Sequence, residues 1–207
     1  MSDRCVIISG GDFDESFRPD VDDYVIACDR GYEHARRLGV SINLVISDFD
    51  SYEGEIEDGI TVERLPHVKD DTDTVAAMKR ALEKGYRKIV IACALGGRMD
   101  HTIANIQTAA YGAERGAVVD IISQKERITV FKDSDITLER DDRFSLSVFS
   151  LSDTCEGVTI RGAFYELDDA VLSNTFPLGV SNEWEDDHVR IRVVRGMLAV
   201  VRSYIDG

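Results

Sequence analysis

The feature that most restricts this chain is a recurring one: short unbroken apolar runs, each closed by glycine or aspartate. Residues 5–9 (CVIIS) stop at Gly10-Gly11, residues 24–28 (YVIAC) at Asp29-Arg30-Gly31, and residues 43–47 (NLVIS) at Asp48-Phe49-Asp50. Residues 88–95 (KIVIACAL) stop at Gly96-Gly97-Arg98, residues 117–123 (AVVDIIS) form a further run, and 61–65 a weaker one stopped by Pro66. Apolar runs of this length without alternation are strands buried on both faces. Helical patterns separate them. One covers residues 31–38 and ends at Gly39. A second opens at 70–73, carries Val75, Met78 and Leu82 at helical spacing, and closes at Gly85. A third spans about 101–115, with Ile103, Ile106 and Ala110 on one stripe. Strands alternating with amphipathic helices specify a parallel sheet covered on both sides.

After residue 125 the texture changes. Short segments at 128–131, 136–138, 144–151, 158–160, 164–167, 189–194 and 198–201 alternate with period two in places, and turn residues separate them. None shows helical periodicity. The reading is therefore an N-terminal three-layer α/β domain with a mostly parallel sheet over residues 1–125. An antiparallel β-sandwich or partly closed barrel follows over 126–207. The boundary near 124–127 carries no Pro/Gly/Ser linker, so the two domains are expected to be closely joined.

Composition narrows the function classes. The net charge of −15 argues against nucleic acid as a partner. It also means that a phosphate-bearing ligand must arrive with a metal or meet a local arginine. No run approaches the ~20 apolar residues of a membrane span. The N-terminus enters a strand-like run at once, without a signal-peptide layout. Cys5, Cys28, Cys93 and Cys155 lack C-x-x-C spacing, and the four histidines are scattered, which disfavours a zinc site. A reduced cytoplasmic setting is the expectation. Neither a P-loop, a dinucleotide fingerprint nor a G-x-S-x-G elbow is present.

What remains is a set of strand ends. In parallel sheets ligands bind beyond the carboxyl ends of the strands, where this sequence places Gly10-Gly11, Asp29, Asp48, Asp50, Gly96, Gly97, Arg98 and Asp100. If Asp48-Phe49-Asp50 stays extended, both carboxylates face one way and Phe49 the other. Their repulsion calls for a cation, and oxygen-only ligands favour a hard divalent ion, most simply Mg²⁺. A solvated acidic loop is the plainer alternative. Asp70-Asp71-Thr72-Asp73 suits a helix N-terminus, although one cap needs one residue. Gly96-Gly97-Arg98 offers backbone N–H groups to phosphate oxygens and a guanidinium to a transferring phosphoryl group, or is an ordinary turn. Together these features suggest metal-assisted phosphoryl chemistry without a protein nucleophile.

These same residues resemble the thiamine pyrophosphokinases. Ser47-Asp48-Phe49-Asp50-Ser51 is similar to that family's G-D-F-D-S, and Asp70-Asp71-Thr72-Asp73 to its D-x-T-D. Gly96-Gly97-Arg98-Met99-Asp100-His101 with Asn105 resembles G-G-R-x-D-H…N. Gly157-Val158-Thr159, Gly162, Tyr165 and Ser181-Asn182-Glu183 are similar to G-L-T…G…Y…S-N-E. The departures are Arg30, where the family has glycine, and Ser47. The resemblance implies an α/β domain plus a sandwich, a homodimer, and pyrophosphoryl transfer from ATP to thiamine. It implies Asp48, Asp50 and Asp73 as Mg²⁺ ligands, and Arg98 and Asp100 against the triphosphate and reaction centre. Asp29, Gly31, Asp71, Thr72, Gly96, Gly97 and Asn105 would belong to the nucleotide cleft. Tyr165, Ser181 and Asn182 would bind thiamine, with Trp184 a second choice for stacking, and the family's thiamine lies between subunits. A pyrophosphokinase for another heterocyclic alcohol, such as a hydroxymethylpterin, and a non-catalytic nucleotide- or metal-binding module are the alternatives.

Overall fold

A computed structural model of the protein describes residues 2–48, 56–66 and 71–205. The chain divides into two compact units, Met1–Gln124 and Lys125–Gly207.

In the first unit β1 (Arg4–Ile8), β2 (Tyr24–Cys28), β3 (Leu44–Ser47), β4 (Thr61–Arg64), β5 (Lys88–Ala92) and β6 (Val118–Ile122) lie in the order β6-β5-β1-β2-β3-β4. Every pairing among them is parallel. The apolar runs behave as their composition requires, with β1, β2 and β5 buried over their last four residues and β3 throughout. Val6, Ile8, Val25, Ala27 and Val45 pack with Tyr32 and Ala35 of α1 (Gly31–Leu38). The intervening Ile7, Ile26 and Ile46 are fully buried as well. Helix α2 (Asp73–Glu83) packs on β1, β2 and β3 and against α3 (Met99–Ala113), so the sheet is covered on both faces. Each fully buried isoleucine contributes about 1.5–3 kcal/mol.

The helix ends follow the sequence signals. Gly39 ends α1 in the left-handed conformation at φ 68, and Thr72 caps α2 by accepting a hydrogen bond from the Val75 amide. The strand order has a physical consequence. From β1 the chain moves outward through β2, β3 and β4, then returns to place β5 on the other side of β1. The connections that follow β1 and β5 therefore lead to strands on opposite sides, β2 and β6, and a crevice opens at the carboxyl ends of β1 and β5.

The second unit contains β7 (Glu126–Lys132), β8 (Asp135–Glu139), β9 (Phe144–Ser150), β10 (Thr154–Arg161), β11 (Leu167–Ser173), β12 (Gly179–Asn182), β13 (His188–Arg192) and β14 (Met197–Tyr204). They form two antiparallel arrays, β12-β9-β14-β7 and β11-β10-β13-β8. Burial alternates along β9 and β13, and the core holds Phe131, Leu146, Val158, Ile160, Ile191 and Leu198. The strand expected at 164–167 lies instead at Leu167–Ser173. Its sequence, LDDAVLS, buries only Leu172 fully, so it carries too little apolar signal to be read as a strand. Residues 162–166 make a turn that starts at Gly162, φ 82, and bonds to the 183–186 segment. Strand β12, with the sequence GVSN and one buried residue, likewise carries too little apolar signal to be expected from sequence. Among the described residues no helix is long and apolar enough to cross a membrane.

Candidate active site

A cavity of about 460 Å³ lies at the carboxyl end of the parallel sheet, at the crevice between β1 and β5. Five segments build it: residues 9–12 after β1, residues 28–30 at the end of β2, residues 72–74 at the start of α2, His101, Ala104 and Asn105 of α3, and residue 94 with 96–98 after β5. The first and last are laced together through backbone. Gly11 N–H donates to the Cys93 carbonyl at 2.7 Å and Asp12 N–H to the Leu95 carbonyl at 3.2 Å. His34 of α1 holds the same loop, its Nε2 lying 2.9 Å from the Gly11 carbonyl oxygen. Burial lowers the His34 pKa, so the ring is a neutral hydrogen-bonding strut.

Close approach explains the glycines here. Gly96 sits at φ 82, and a Cβ on it would come 2.0 Å from Asp12 Oδ2. Gly31 starts α1 so close to β1 that a Cβ would lie 2.0 Å from the Ile8 carbonyl oxygen. Asp29 is itself left-handed, at φ 48, and its amide donates to the Ile46 carbonyl at 3.1 Å. The α2 end is anchored below the cavity by buried Ser9 and Thr74, whose hydroxyls are 3.0 Å apart.

Of the cleft residues expected from sequence, Asp29, Thr72, Asp73, Gly96, Gly97, Arg98 and Asn105 line this one cavity. Gly31, Asp48, Asp71 and Asp100 do not appear in its lining. Asp48 follows β3 and is half-buried, while Asp71 is ion-paired with Lys79 at 2.5 Å. Asp100 takes the Arg98 guanidinium in a two-point contact, Nε to Oδ1 at 3.1 Å and Nη2 to Oδ2 at 2.5 Å. That contact holds the Asp100 carboxyl below its ordinary range and raises Arg98. Asn105 is buried and donates to the Ala94 carbonyl at 2.7 Å, which fixes the turn after β5. Phe49, Asp50 and Asp70 lie outside the described residues. Among the described residues no group of three or more His, Cys, Asp or Glu side chains converges as a metal site.

The lining combines three aspartates (Asp12, Asp29, Asp73), glycine turns and two arginines (Arg30, Arg98). All four cysteines are buried and outside any disulfide, and burial pushes Cys5 up to about 12 and raises Cys93. The family description "Thiamin pyrophosphokinase, catalytic domain" matches residues 9–119, and "Thiamin pyrophosphokinase, vitamin B1 binding domain" matches residues 133–198.

The chain belongs to the thiamin pyrophosphokinase family. A curated relative, the thiamine pyrophosphokinase of Bacillus subtilis, is 29% identical over 136 residues, a match spanning 65% of this chain and 64% of that protein. Structural likeness extends further. The crystal structure of the Bacillus subtilis thiamine pyrophosphokinase matches with TM-score 0.84 at 25% identity, over 98% of this chain and 99% of that one. That of the Geobacillus thermodenitrificans thiamin pyrophosphokinase matches with TM-score 0.84 at 26% identity, over 99% of each.

In the unit that contains the family's B1-binding match, Tyr165 is 64% exposed and meets Phe164 edge-on at 4.9 Å between centroids. Asn182 is buried and spends its amide on that loop. Its Oδ1 accepts from the Tyr165 and Glu183 amides at 2.9 and 3.0 Å, and its Nδ2 donates to the Tyr165 carbonyl at 2.8 Å. Ser181 is exposed, at φ 57, and its amide donates to Ser147 Oγ at 3.1 Å. Trp184, the second choice for stacking, is buried with Nε1 donating to the Phe144 carbonyl at 2.8 Å, so it belongs to the core of this unit.

Sequence reasoning missed Asp12, which follows Gly10-Gly11 and obeys the same strand-end rule as the other acids. It gave His101 no catalytic role, although His101 lines the cavity, as does Arg30, the departure from the family's glycine.

Proposed function

We propose that this chain performs its family's reaction, moving the pyrophosphoryl group of ATP to the hydroxyl of thiamine to give thiamine diphosphate and AMP. The observation that supports it most directly is the convergence of three strand-end segments and the first turns of α2 and α3, rich in aspartate and glycine, on one cavity at the sheet's switch point. Such a cavity, within the ~300–1,000 Å³ of ligand sites, suits a polyphosphate. Glycine turns offer amide donors, and Arg98 supplies positive charge as the bond to the departing AMP lengthens.

In this reading the thiamine hydroxyl oxygen forms a bond to the β-phosphorus as the bond from that phosphorus to the α,β-bridging oxygen breaks. Asp100 orients the attacking hydroxyl. With its pKa lowered by Arg98 it is a weak base, which a loose transition state tolerates because the proton leaves late. The cleft's charged oxygen donors are carboxylates, the chemistry that a hard cation takes. Asp48, Asp50 and Asp73 are our candidates to hold Mg²⁺, which when bound would neutralise developing phosphoryl charge. Asp29, Thr72, Gly96 and Gly97 line the nucleotide cleft in this reading, Asn105 braces it, and Gly31 and Asp71 support it from behind. Tyr165 stacks on thiamine, and Ser181 and Asn182 shape the loop that carries it. We further propose a cytoplasmic homodimer, supported by the exposed apolar side chains Phe164, Phe176, Leu178 and Val180 on the second unit.

The test is AMP release with ATP, Mg²⁺ and a panel of heterocyclic alcohols, thiamine and a hydroxymethylpterin among them. AMP formed with thiamine alone is the expected result. AMP formed with the pterin alone would transfer the assignment to that substrate, and none with any alcohol would reduce the site to a binding module.

A further inference from the structure

The two arginines that line the cavity differ in their commitments. Arg98 is held by Asp100 through both of its contacts. Arg30 is exposed, and among the described residues its guanidinium has neither a hydrogen-bond nor an ion-pair partner. Its backbone is fixed, because Arg30 precedes α1 in helical conformation, between left-handed Asp29 and Gly31, which packs tightly against β1. The side chain leaves this anchored point beside Gly10, where an added Cβ would come 3.1 Å from the Arg30 Cβ. The glycine after β1 thus leaves room for it.

An uncommitted cation in such a place needs a reason. Asp12, Asp29 and Asp73 line the same cavity, and the chain carries a net charge of −15. A polyphosphate entering meets three carboxylates and one guanidinium already occupied by its own aspartate. We infer that Arg30 is a substrate-binding residue that takes the phosphate chain of the nucleotide, with Gly10 as the residue that gives its side chain room. Arg30 supplies donors in a planar fork suited to phosphate oxygens, and it does so without first breaking an internal ion pair. This inference rests on the proposed pyrophosphokinase reading for the identity of the ligand, but its geometry requires only an anion of that class.

The experiment compares the wild-type chain with Arg30→Ala and Arg30→Lys, using inorganic tripolyphosphate as the binding probe and AMP release as the activity readout. Arg30→Ala is expected to weaken tripolyphosphate binding and raise the KM for ATP about tenfold, in the range of one charge-assisted contact at an exposed site. The KM for thiamine should stay within about twofold and thermal unfolding should be unchanged. Arg30→Lys should recover part of the loss, since it keeps the charge and loses the fork. Added salt should weaken tripolyphosphate binding more steeply in the wild type than in Arg30→Ala. Equal tripolyphosphate affinity in wild type and Arg30→Ala would overturn the inference, as would a rise in the thiamine KM matching that for ATP. A wild-type chain that binds tripolyphosphate through Arg30 yet releases no AMP with thiamine would leave the inference standing and remove the proposed function instead.

Discussion

In the α/β unit the cavity is assembled from backbone. Asp29, Thr72, Asp73 and Arg98 stand in strand-end and helix-start loops whose positions are set by amide-to-carbonyl bonds and by glycines that let segments touch. In the sandwich unit Tyr165 is presented by a turn that one buried side chain, Asn182, ties down with three hydrogen bonds. The first arrangement separates function from stability, because the loops keep their shape when a lining carboxylate is changed. The second couples them, because the group that orders the loop also lies within the candidate binding surface.

The largest expected effect breaks the comparison if it fails. Asp73→Asn and Asp48→Asn should each lower AMP release at least about a hundredfold, roughly 2.7 kcal/mol of transition-state stabilisation. Stability should change by less than about 1 kcal/mol, the scale of a carboxylate's interaction with a helix start. Activity assays paired with thermal unfolding in EDTA and in Mg²⁺ make the check, and a parallel fall in both would mean that these acids are structural. For the sandwich unit, Asn182→Ala should lose on the order of 2 kcal/mol, because it strands buried amide and carbonyl groups. Thiamine affinity should fall with it, and denaturant unfolding together with the thiamine KM reads both.

Tyr165→Ala sharpens the contrast within the sandwich unit. Being 64% exposed, the ring contributes little to folding. Its removal should raise the KM for thiamine about five- to tenfold, from a stacking contribution of ~0.5–1.5 kcal/mol plus buried area, while the KM for ATP holds. In the α/β unit Thr72→Ala should cost about 1 kcal/mol of stability through the lost cap on Val75, and Thr72→Ser should restore it.

The smallest effect is a pH dependence. Burial pushes the Asp23 carboxyl up, but hydrogen bonds from Arg4 and the Asp20 amide outweigh it, and the net direction is down. A depressed folded pKa stabilises the fold above the ordinary aspartate range and loses that contribution as pH falls through the lowered value. The stability difference between wild type and Asp23→Asn should therefore shrink in acid. The exposed Asp141–Arg143 pair of the sandwich unit should show a smaller change, as surface pairs do. Unfolding curves across pH 2–7 compare them; an equal change at both sites would mean that burial of Asp23 adds nothing.

Local sequence determined the strands and helices of the α/β unit almost completely. Runs such as CVIIS and KIVIACAL are too apolar to stand anywhere but the middle of a covered sheet, and Thr72, Gly39 and Gly85 mark helix ends through their own chemistry. It determined less of the sandwich. Strand β11 carries two exposed aspartates and one fully buried leucine, so its identity comes from pairing with β10 rather than from its own residues. Tertiary structure alone decided the strand order that places β1 between β5 and β2. Because that order is a non-local choice, no spacing in the sequence states that Asp12 will lie against Gly96. Nor does any spacing state that Arg98 will be bound by its near neighbour Asp100 while Arg30, from another strand end, stands uncommitted in the same cavity.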